Sequence, residues 1–179
     1  MDVQEVSYKD GRLAIKDGDV VFLRGRRTLI GKIIQFVTRS VYSHVGIAFW
    51  ATIGKQERLF MVECQGNTKK RIVNMSFYQD CNMDIISTSL PWENISNYAL
   101  NNIGVVKYGY IEAIYVGLRE FLMLYFNIRL PAHDFKGQIC SEFVADTYGM
   151  IERHVSPAML LSNMINKGNK IKIKIRKSL

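Results

Sequence analysis

Two neighbouring segments with strand-like patterns constrain the fold of this chain more than any other feature. Residues Ser43–Trp50, SHVGIAFW, alternate at the period of a β-strand. A loop around Gly54 follows, and the apolar segment Arg58–Gln65, RLFMVECQ, then predicts a second strand. Two adjacent strands joined by a short loop indicate a β-hairpin.

The register of this hairpin decides which polar side chains can meet. If Trp50 pairs with Leu59, Gly46 lies opposite Glu63, and His44 lies diagonally from Glu63 on the same face. A slip of one residue would separate the two side chains and break the hydrophobic pattern. The sequence therefore predicts a contact between an imidazole and a carboxylate. The alternatives are a histidine at the surface or in an ordinary hydrogen bond, and a glutamate solvated at a strand end.

The two faces of the first strand carry different side chains. Val45, Ile47 and Phe49 form one face, which we expect to pack in the core. The other face places two small residues, Gly46 and Ala48, beside His44. We expect this second face to leave open space for a substrate beside the imidazole.

A cysteine at a predicted helix start is the second feature that points to chemistry. Residues Gly137–Tyr148, GQICSEFVADTY, are typical of a loop that leads into a helix, with Cys140 at the junction and Gly149 as a stop. Cys140 shares an inward stripe with Phe143, Val144, Thr147, Tyr148 and Ile151, and Glu142 and Asp146 occupy the opposite face. The partial positive charge of a helix N-terminus favours the thiolate, which is the nucleophilic form.

A free cysteine on an apolar stripe is more often a small core residue than a nucleophile. A base within reach reverses that preference, because a thiol nucleophile needs a base and the base needs an orienting partner. His44 suits the role of base, and Glu63 could set its tautomer. His133, seven residues before Cys140, is the competing base. The backbone N–H of Cys140 would stabilise an oxyanion, Tyr42 or Gln138 could supply a second donor, and Ser43 could position the strand.

The remaining segments predict a single α+β domain over residues 1–179. Further strands are predicted at Arg12–Ile15, Val20–Leu23, 71–77 and Asp84–Thr88, and further helices at 28–38, Pro91–Asn101 and Ser156–Met164. The apolar segment 111–130 contains Glu112, Arg119 and Glu120, so we expect a buried or interfacial helix and not a membrane span.

Charge and cysteine content narrow the possible partners. The net charge is +8, and the segment from Lys167 to Lys177 carries six basic residues and no acidic one. This basic tail, residues 167–179, could bind an anionic surface or form a terminal strand through its IKIKIRK pattern. Three cysteines without paired spacing and three histidines predict neither a disulfide framework nor a metal site, and we expect no cofactor. The N-terminus lacks a signal-peptide pattern, so we expect a cytoplasmic protein, with peripheral membrane association as an alternative.

Several of these motifs together resemble a known family. The segments DGDVVFLRG, YSHVGI, MVECQG and GQICSEFVADTY, with a following SPAML, resemble the permuted papain-like cysteine hydrolases of the NlpC-type superfamily. The similarity is to the YiiX-like branch and, more distantly, to lecithin–retinol acyltransferases, and it spans residues 17–160. It implies an antiparallel sheet or partial barrel packed against the cysteine helix, with 111–130 as a helical insertion. It also implies nucleophile, base and orienter roles for Cys140, His44 and Glu63.

The resemblance and the residues indicate the same class of reaction. We expect a cysteine peptidase or amidase that forms a thioacyl-enzyme on a peptide, cell-wall or other acyl-bearing substrate; a thioesterase is also compatible. One alternative is a membrane-surface lipid acyltransferase or phospholipase on the same fold. Another is a non-enzymatic module that binds an anionic partner. The sequence does not determine the substrate or the oligomeric state.

Overall fold

The structure is a computed structural model that describes residues 3–25, 32, 35–36, 38–65, 69–101, 103–131, 133, 137–150 and 155–177. Its strands are β1 (Glu5–Val6), β2 (Val20–Arg24), β3 (Tyr42–Ile53), β4 (Gln56–Glu63), β5 (Arg71–Asn74), β6 (Asn82–Ser87) and β7 (Lys170–Ile175). Its α-helices are α1 (Tyr8–Gly11), α2 (Trp92–Leu100), α3 (Tyr110–Phe126), α4 (Cys140–Thr147) and α5 (Pro157–Asn166). This content confirms a mixed α+β fold.

All seven strands form one sheet in the order β1-β7-β6-β2-β3-β4-β5. Every described pairing is antiparallel except that of β1 with β7, which is parallel. The prediction of an antiparallel sheet is therefore right for all but one edge. No pairing among the described residues joins β1 to β5, so the predicted partial barrel is not confirmed.

The strands predicted at Val20–Leu23 and Asp84–Thr88 are confirmed as β2 and β6, whereas two other local predictions differ from the structure. The segment Arg12–Ile15, predicted as a strand, contains instead a 3₁₀ helix at Arg12–Ala14. The predicted strand 71–77 ends at Asn74, because the Asn74 side chain accepts from the Ser76 N–H and caps a 3₁₀ helix. The predicted helix 28–38 lies largely outside the described residues.

The hairpin has the predicted register. Trp50 pairs with Leu59, and the described β3–β4 pairing ends at Ile47–Val62. His44 lies beyond that last pair on β3, where it pairs with Leu23 of β2 on its other side. The same register continues from β4 to β5, where Glu63 lies opposite Arg71.

The expectation of open space beside His44 is wrong, because both faces of the sheet are buried. One core cluster contains Val45, Ile47 and Phe49 together with Phe143 and Val144 of α4. A second cluster covers the opposite face and includes Ala48, Leu59, Met61, Met75 and Tyr78. The small residues Gly46 and Ala48 accommodate this second core and do not form a substrate pocket.

The tight packing at Gly46 leads to a testable prediction. A Cβ atom added at Gly46 would lie 2.7 Å from Met61 Cγ and 2.8 Å from the Val62 carbonyl oxygen. Since the backbone oxygen cannot move aside as a side chain can, we expect Gly46→Ala to destabilise the fold by about 1–3 kcal/mol. Urea unfolding measures this, with Thr52→Ala at an exposed position of the same strand as control. An unchanged midpoint for Gly46→Ala would show that the packing on this face is loose.

The basic tail forms the predicted terminal strand, and much of its charge is neutralised within the molecule. β7 lies between β1 and β6, and Ile173 and Ile175 are buried. Lys172 binds Asp19 at 3.2 Å, and Arg176 binds Asp84 at 2.9 Å and Glu5 at 3.3 Å. These ion pairs reduce the cationic charge that the tail presents to a partner.

The predicted apolar segment 111–130 forms α3, which ends earlier than expected. Asn127 adopts the left-handed conformation, with φ of 55°, and closes the helix. Among the residues that the structure describes, no helix has both the length and the apolar character needed to cross a bilayer.

Candidate active site

Cys140 is the first residue of α4, as predicted, and its side chain is 5% exposed. The preceding residue, Ile139, is extended, and its N–H donates to the Glu142 carboxylate at 3.5 Å. The Cys140 N–H lies in the first turn, where the helix offers it no carbonyl partner, so it can donate to a substrate oxygen. Glu142, predicted on the solvent face, is buried, because the sheet, α2 and α5 surround α4.

His44 and Glu63 make the predicted contact. His44 Nε2 lies 2.6 Å from Glu63 Oε2, and both side chains are buried. Both residues lie beyond the last β3–β4 pair, Glu63 by one residue and His44 by three. A carboxylate bound to Nε2 orients the ring and leaves Nδ1 for another partner.

Cys140 is that partner. Its side chain lies close enough to His44 to raise the pKa of the imidazole, ahead of Glu63. Because Nε2 is occupied by Glu63, the nitrogen available to the Cys140 sulfur is Nδ1. The structure therefore brings a thiol, an imidazole and a carboxylate from α4, β3 and β4 into one chain of contacts.

Three groups hold the Glu63 carboxylate. Its Oε2 accepts from His44 and from the Tyr78 hydroxyl, which lies at 2.7 Å. Its Oε1 accepts from Arg71 Nε at 2.8 Å. Burial would raise the pKa of Glu63, but His44 first, and then Tyr78 and Arg71, lower it to about 2. Glu63 is therefore a fixed negative charge at neutral pH.

The negative charge of Glu63 helps to keep His44 protonated. Burial would lower the pKa of His44, but the charge and hydrogen bond of Cys140, together with those of Glu63, raise it to about 9. The imidazolium form is thus favoured at neutral pH, next to the sulfur that would carry the negative charge.

The competing base, His133, is exposed and lies against Tyr115 of α3, with ring centroids 6.3 Å apart. The contacts of Cys140 therefore favour His44 over His133. Ser43 is buried, and its Oγ has no hydrogen-bond partner among the described residues. The strand is thus not positioned by a hydrogen bond of this hydroxyl.

Both predicted oxyanion donors are hydrogen-bonded within the protein. The hydroxyl of Tyr42 donates its one proton to Asp84, which also binds Arg24. Gln138 Nε2 donates to Asp146 at 2.8 Å, and the Gln138 side chain also hydrogen-bonds the Tyr98 hydroxyl and accepts from the Cys64 thiol at 3.8 Å. Tyr42 therefore has no proton left for an oxyanion, and the donor role of Gln138 stays a prediction.

Comparison with known proteins agrees with this architecture. The sequence matches no family model, and no curated protein matches it. Among solved structures, the fold is similar to that of the metalloprotein YiiX from Escherichia coli O157:H7. The two proteins share a fold. They are 16% identical with a TM-score of 0.52, and the match covers 90% of this chain and 88% of YiiX.

Sequence reasoning missed two residues of this site, Arg71 and Tyr78. The sequence places Arg71 only at the start of the predicted strand 71–77, and the structure shows it directly opposite Glu63. Extending the hairpin register one strand further would have found it. Tyr78 had no comparable signal, because it reaches Glu63 from a 3₁₀ helix whose position depends on the fold.

Proposed function

We propose that this protein is a cysteine hydrolase of the peptidase or amidase type, with Cys140 as nucleophile, His44 as base and acid, and Glu63 as the group that orients His44. The observation that carries the proposal is the chain of contacts from the Cys140 thiol to His44 and from His44 Nε2 to Glu63 at 2.6 Å. The fold shared with YiiX supports it, since the sequence motifs resemble the YiiX-like branch of the papain-like hydrolases.

The first half of the reaction forms a thioacyl-enzyme. The Cys140 thiolate attacks the carbonyl carbon of the substrate, and the carbonyl electrons move to oxygen. The Cys140 N–H stabilises this oxyanion. When the carbon–nitrogen bond breaks, protonated His44 gives its Nδ1 proton to the leaving amine.

The second half releases the acid. Neutral His44 removes a proton from a water molecule, and the resulting hydroxide attacks the thioester carbonyl. The carbon–sulfur bond breaks, and Cys140 leaves as a thiolate beside the imidazolium. Throughout, the Glu63 charge stabilises imidazolium, and Tyr78 and Arg71 hold that carboxylate in place.

The description of YiiX as a metalloprotein raises the question of a metal in this chain. Within the described ranges, no group of three or more His, Cys, Asp or Glu residues could hold a metal ion. The His44 nitrogen that faces Glu63 is also taken by the carboxylate at 2.6 Å. The described donor set does not fit a metal site, and no step of this mechanism passes through one.

Selective labelling of Cys140 tests the proposal. An electrophilic activity probe should label Cys140 in the native protein in preference to Cys81 and Cys64. Cys81 is the informative comparison, because it is half-buried and so more accessible than Cys140, which is 5% exposed. Cys64 should be inert, since burial and the charge of Cys140 raise its pKa to about 12. Mass spectrometry of the labelled peptides measures the ratio.

Two controls complete this experiment. In concentrated urea the three cysteines should label at similar rates, because the site no longer exists. Cys140→Ser should abolish native labelling and any turnover of amide or ester substrates. Faster labelling of Cys81 than of Cys140 in the native protein would overturn the proposal.

A further inference from the structure

The polarity of α3 is reversed relative to an ordinary surface helix. Its two carboxylate residues, Glu112 and Glu120, are buried, with exposures of only 4% and 6%. Together with Val116 they form the inward stripe of the helix, at a spacing of four residues. The opposite stripe is apolar and faces solvent: Ile111 is 71% exposed, Ile114 72% and Leu118 47%. A surface helix normally shows the opposite arrangement, so this apolar face has a use other than packing within the chain.

The apolar surface continues past the end of that stripe. Four further exposed side chains follow, namely Leu124, Tyr125, Phe126 and Ile128. We call the whole set, with Ile111, Ile114 and Leu118, the α3 ridge. The exposed side chains of the ridge run along one helix and beyond its C-terminus, an elongated apolar surface that suits insertion into the interface of a bilayer.

The α3 ridge is tied to the candidate active site. The backbone segments before and after it are joined at Gly109 and Gly137, where a Cβ added to Gly137 would lie 2.2 Å from Gly109 Cα. The Gly109 N–H also donates to the Gln138 carbonyl at 3.3 Å. Since Cys140 follows Gln138 by two residues, the base of the α3 segment adjoins the nucleophile.

Among the described residues, the exposed charges beside the ridge are all positive. Arg129 and Lys107, which flank α3, are exposed, and the exposed Arg39 lies over the Tyr125 ring at 3.8 Å from its centroid. The carboxylates of α3 itself face inward. The exposed charges described around the ridge are therefore complementary to an anionic surface.

We propose that the α3 ridge docks on an anionic lipid bilayer, with the helix lying in the interface. Apolar side chains flanked by cations are what such binding requires: burial of the ridge among acyl chains, and attraction of Arg39, Lys107 and Arg129 to acidic head groups. This docking goes beyond the proposed hydrolase activity and does not depend on it. It would place Cys140 near the membrane surface.

Co-sedimentation with vesicles tests the docking on the full chain. Vesicles of phosphatidylcholine with phosphatidylglycerol should bind the protein, and vesicles of phosphatidylcholine alone should bind it less. Ile114→Asp should weaken binding to the anionic vesicles by roughly tenfold or more, because a carboxylate replaces an inserted apolar side chain. Raising the salt concentration should weaken binding of the wild-type protein as well.

Matched variants make the result specific. Leu13 is 78% exposed but lies outside the ridge, in the 3₁₀ helix Arg12–Ala14, so Leu13→Asp should bind as the wild type does. Cys140→Ser should also bind normally, which separates failure of the docking from failure of the proposed hydrolase. Absence of vesicle binding, or equal loss in Ile114→Asp and Leu13→Asp, would overturn the proposal. So would self-association that Ile114→Asp abolishes in sedimentation velocity without lipid, because the ridge would then bind a second copy.

Discussion

Replacement of His44 by alanine is expected to slow the acylation of Cys140 by an activity probe roughly 100-fold to 10,000-fold, the range of general acid–base catalysis. The reason is that His44 is the group in contact with both the sulfur and the Glu63 carboxylate. Without the ring, Cys140 loses the cation that stabilises its thiolate and the donor for the leaving group. Stopped-flow or quenched labelling at neutral pH, followed by mass spectrometry, measures the rate.

The fold of the His44→Ala variant should survive, which keeps the experiment interpretable. Glu63 would retain its hydrogen bonds from Tyr78 at 2.7 Å and from Arg71 at 2.8 Å, so its buried charge would not be left unpaired. Thermal unfolding of the variant checks this directly.

His133→Ala is the matched control, because it removes the other candidate base from an exposed position next to Tyr115. It should label at the wild-type rate. If His133→Ala slowed labelling and His44→Ala did not, the assignment of the base would be wrong.

The hairpin and its register could be predicted because the constraint is local and strict. A strand that is buried must keep its apolar side chains on one set of alternate positions, so a shift by one residue is excluded. Once Trp50 is opposite Leu59, the approach of His44 to Glu63 follows from strand geometry. The start of the Cys140 helix could also be predicted from local sequence, because Gly137 and Gly149 bracket a segment with helical periodicity.

What surrounds the hairpin could not be predicted, because it depends on elements distant in sequence. The small residues Gly46 and Ala48 were interpreted as open space, but Met61 and the second core occupy that space. The alternation of side chains along a strand identifies which residues share a face of the sheet. It does not tell whether side chains from other elements cover that face. The seven-stranded sheet is covered on both sides in this region, and alternation alone cannot distinguish that from coverage of one side.

Charge was the least predictable property. The tail predicts a basic surface, yet Lys172 binds Asp19 and Arg176 binds Asp84. Within the segment 111–130, predicted as a buried or interfacial helix, the carboxylates Glu112 and Glu120 point inward and apolar side chains face solvent. A sequence reports which charges are present, and only the fold reports which of them are already paired.

Replacement of Glu63 by glutamine should have the second large effect, both on reactivity and on stability. Glutamine keeps the size of the side chain but removes the charge that helps to raise the pKa of His44 to about 9. In the variant, burial still lowers the pKa of His44, and only Cys140 remains to raise it, so the pKa falls. The alkaline limb of the pH profile of Cys140 labelling, which reports loss of the imidazolium proton, should then move to lower pH.

The stability of the wild-type protein should depend on pH in two windows. The pKa of His44 is raised from 6.5 to about 9, so its contribution is fully present below pH 6.5 and is lost as the pH rises through 9. The pKa of Glu63 is lowered from 4.5 to about 2, so its contribution is present above pH 4.5 and is lost as the pH falls through 2. As far as these two groups decide it, stability is greatest between those windows.

In Glu63→Gln, the free energy of unfolding should change less with pH in both windows. Near pH 5.5 it should be lower by about 3 kcal/mol, the cost of breaking a buried ion pair. Urea unfolding at a series of pH values measures the curve, and Glu57→Gln, at an exposed position of the same strand, should leave it unchanged. An alkaline limb that stays at the wild-type pH in Glu63→Gln would mean that Cys140 alone sets the proton affinity of His44. Glu63 would then hold the ring in place without acting on its charge, and the triad would reduce to a cysteine–histidine pair.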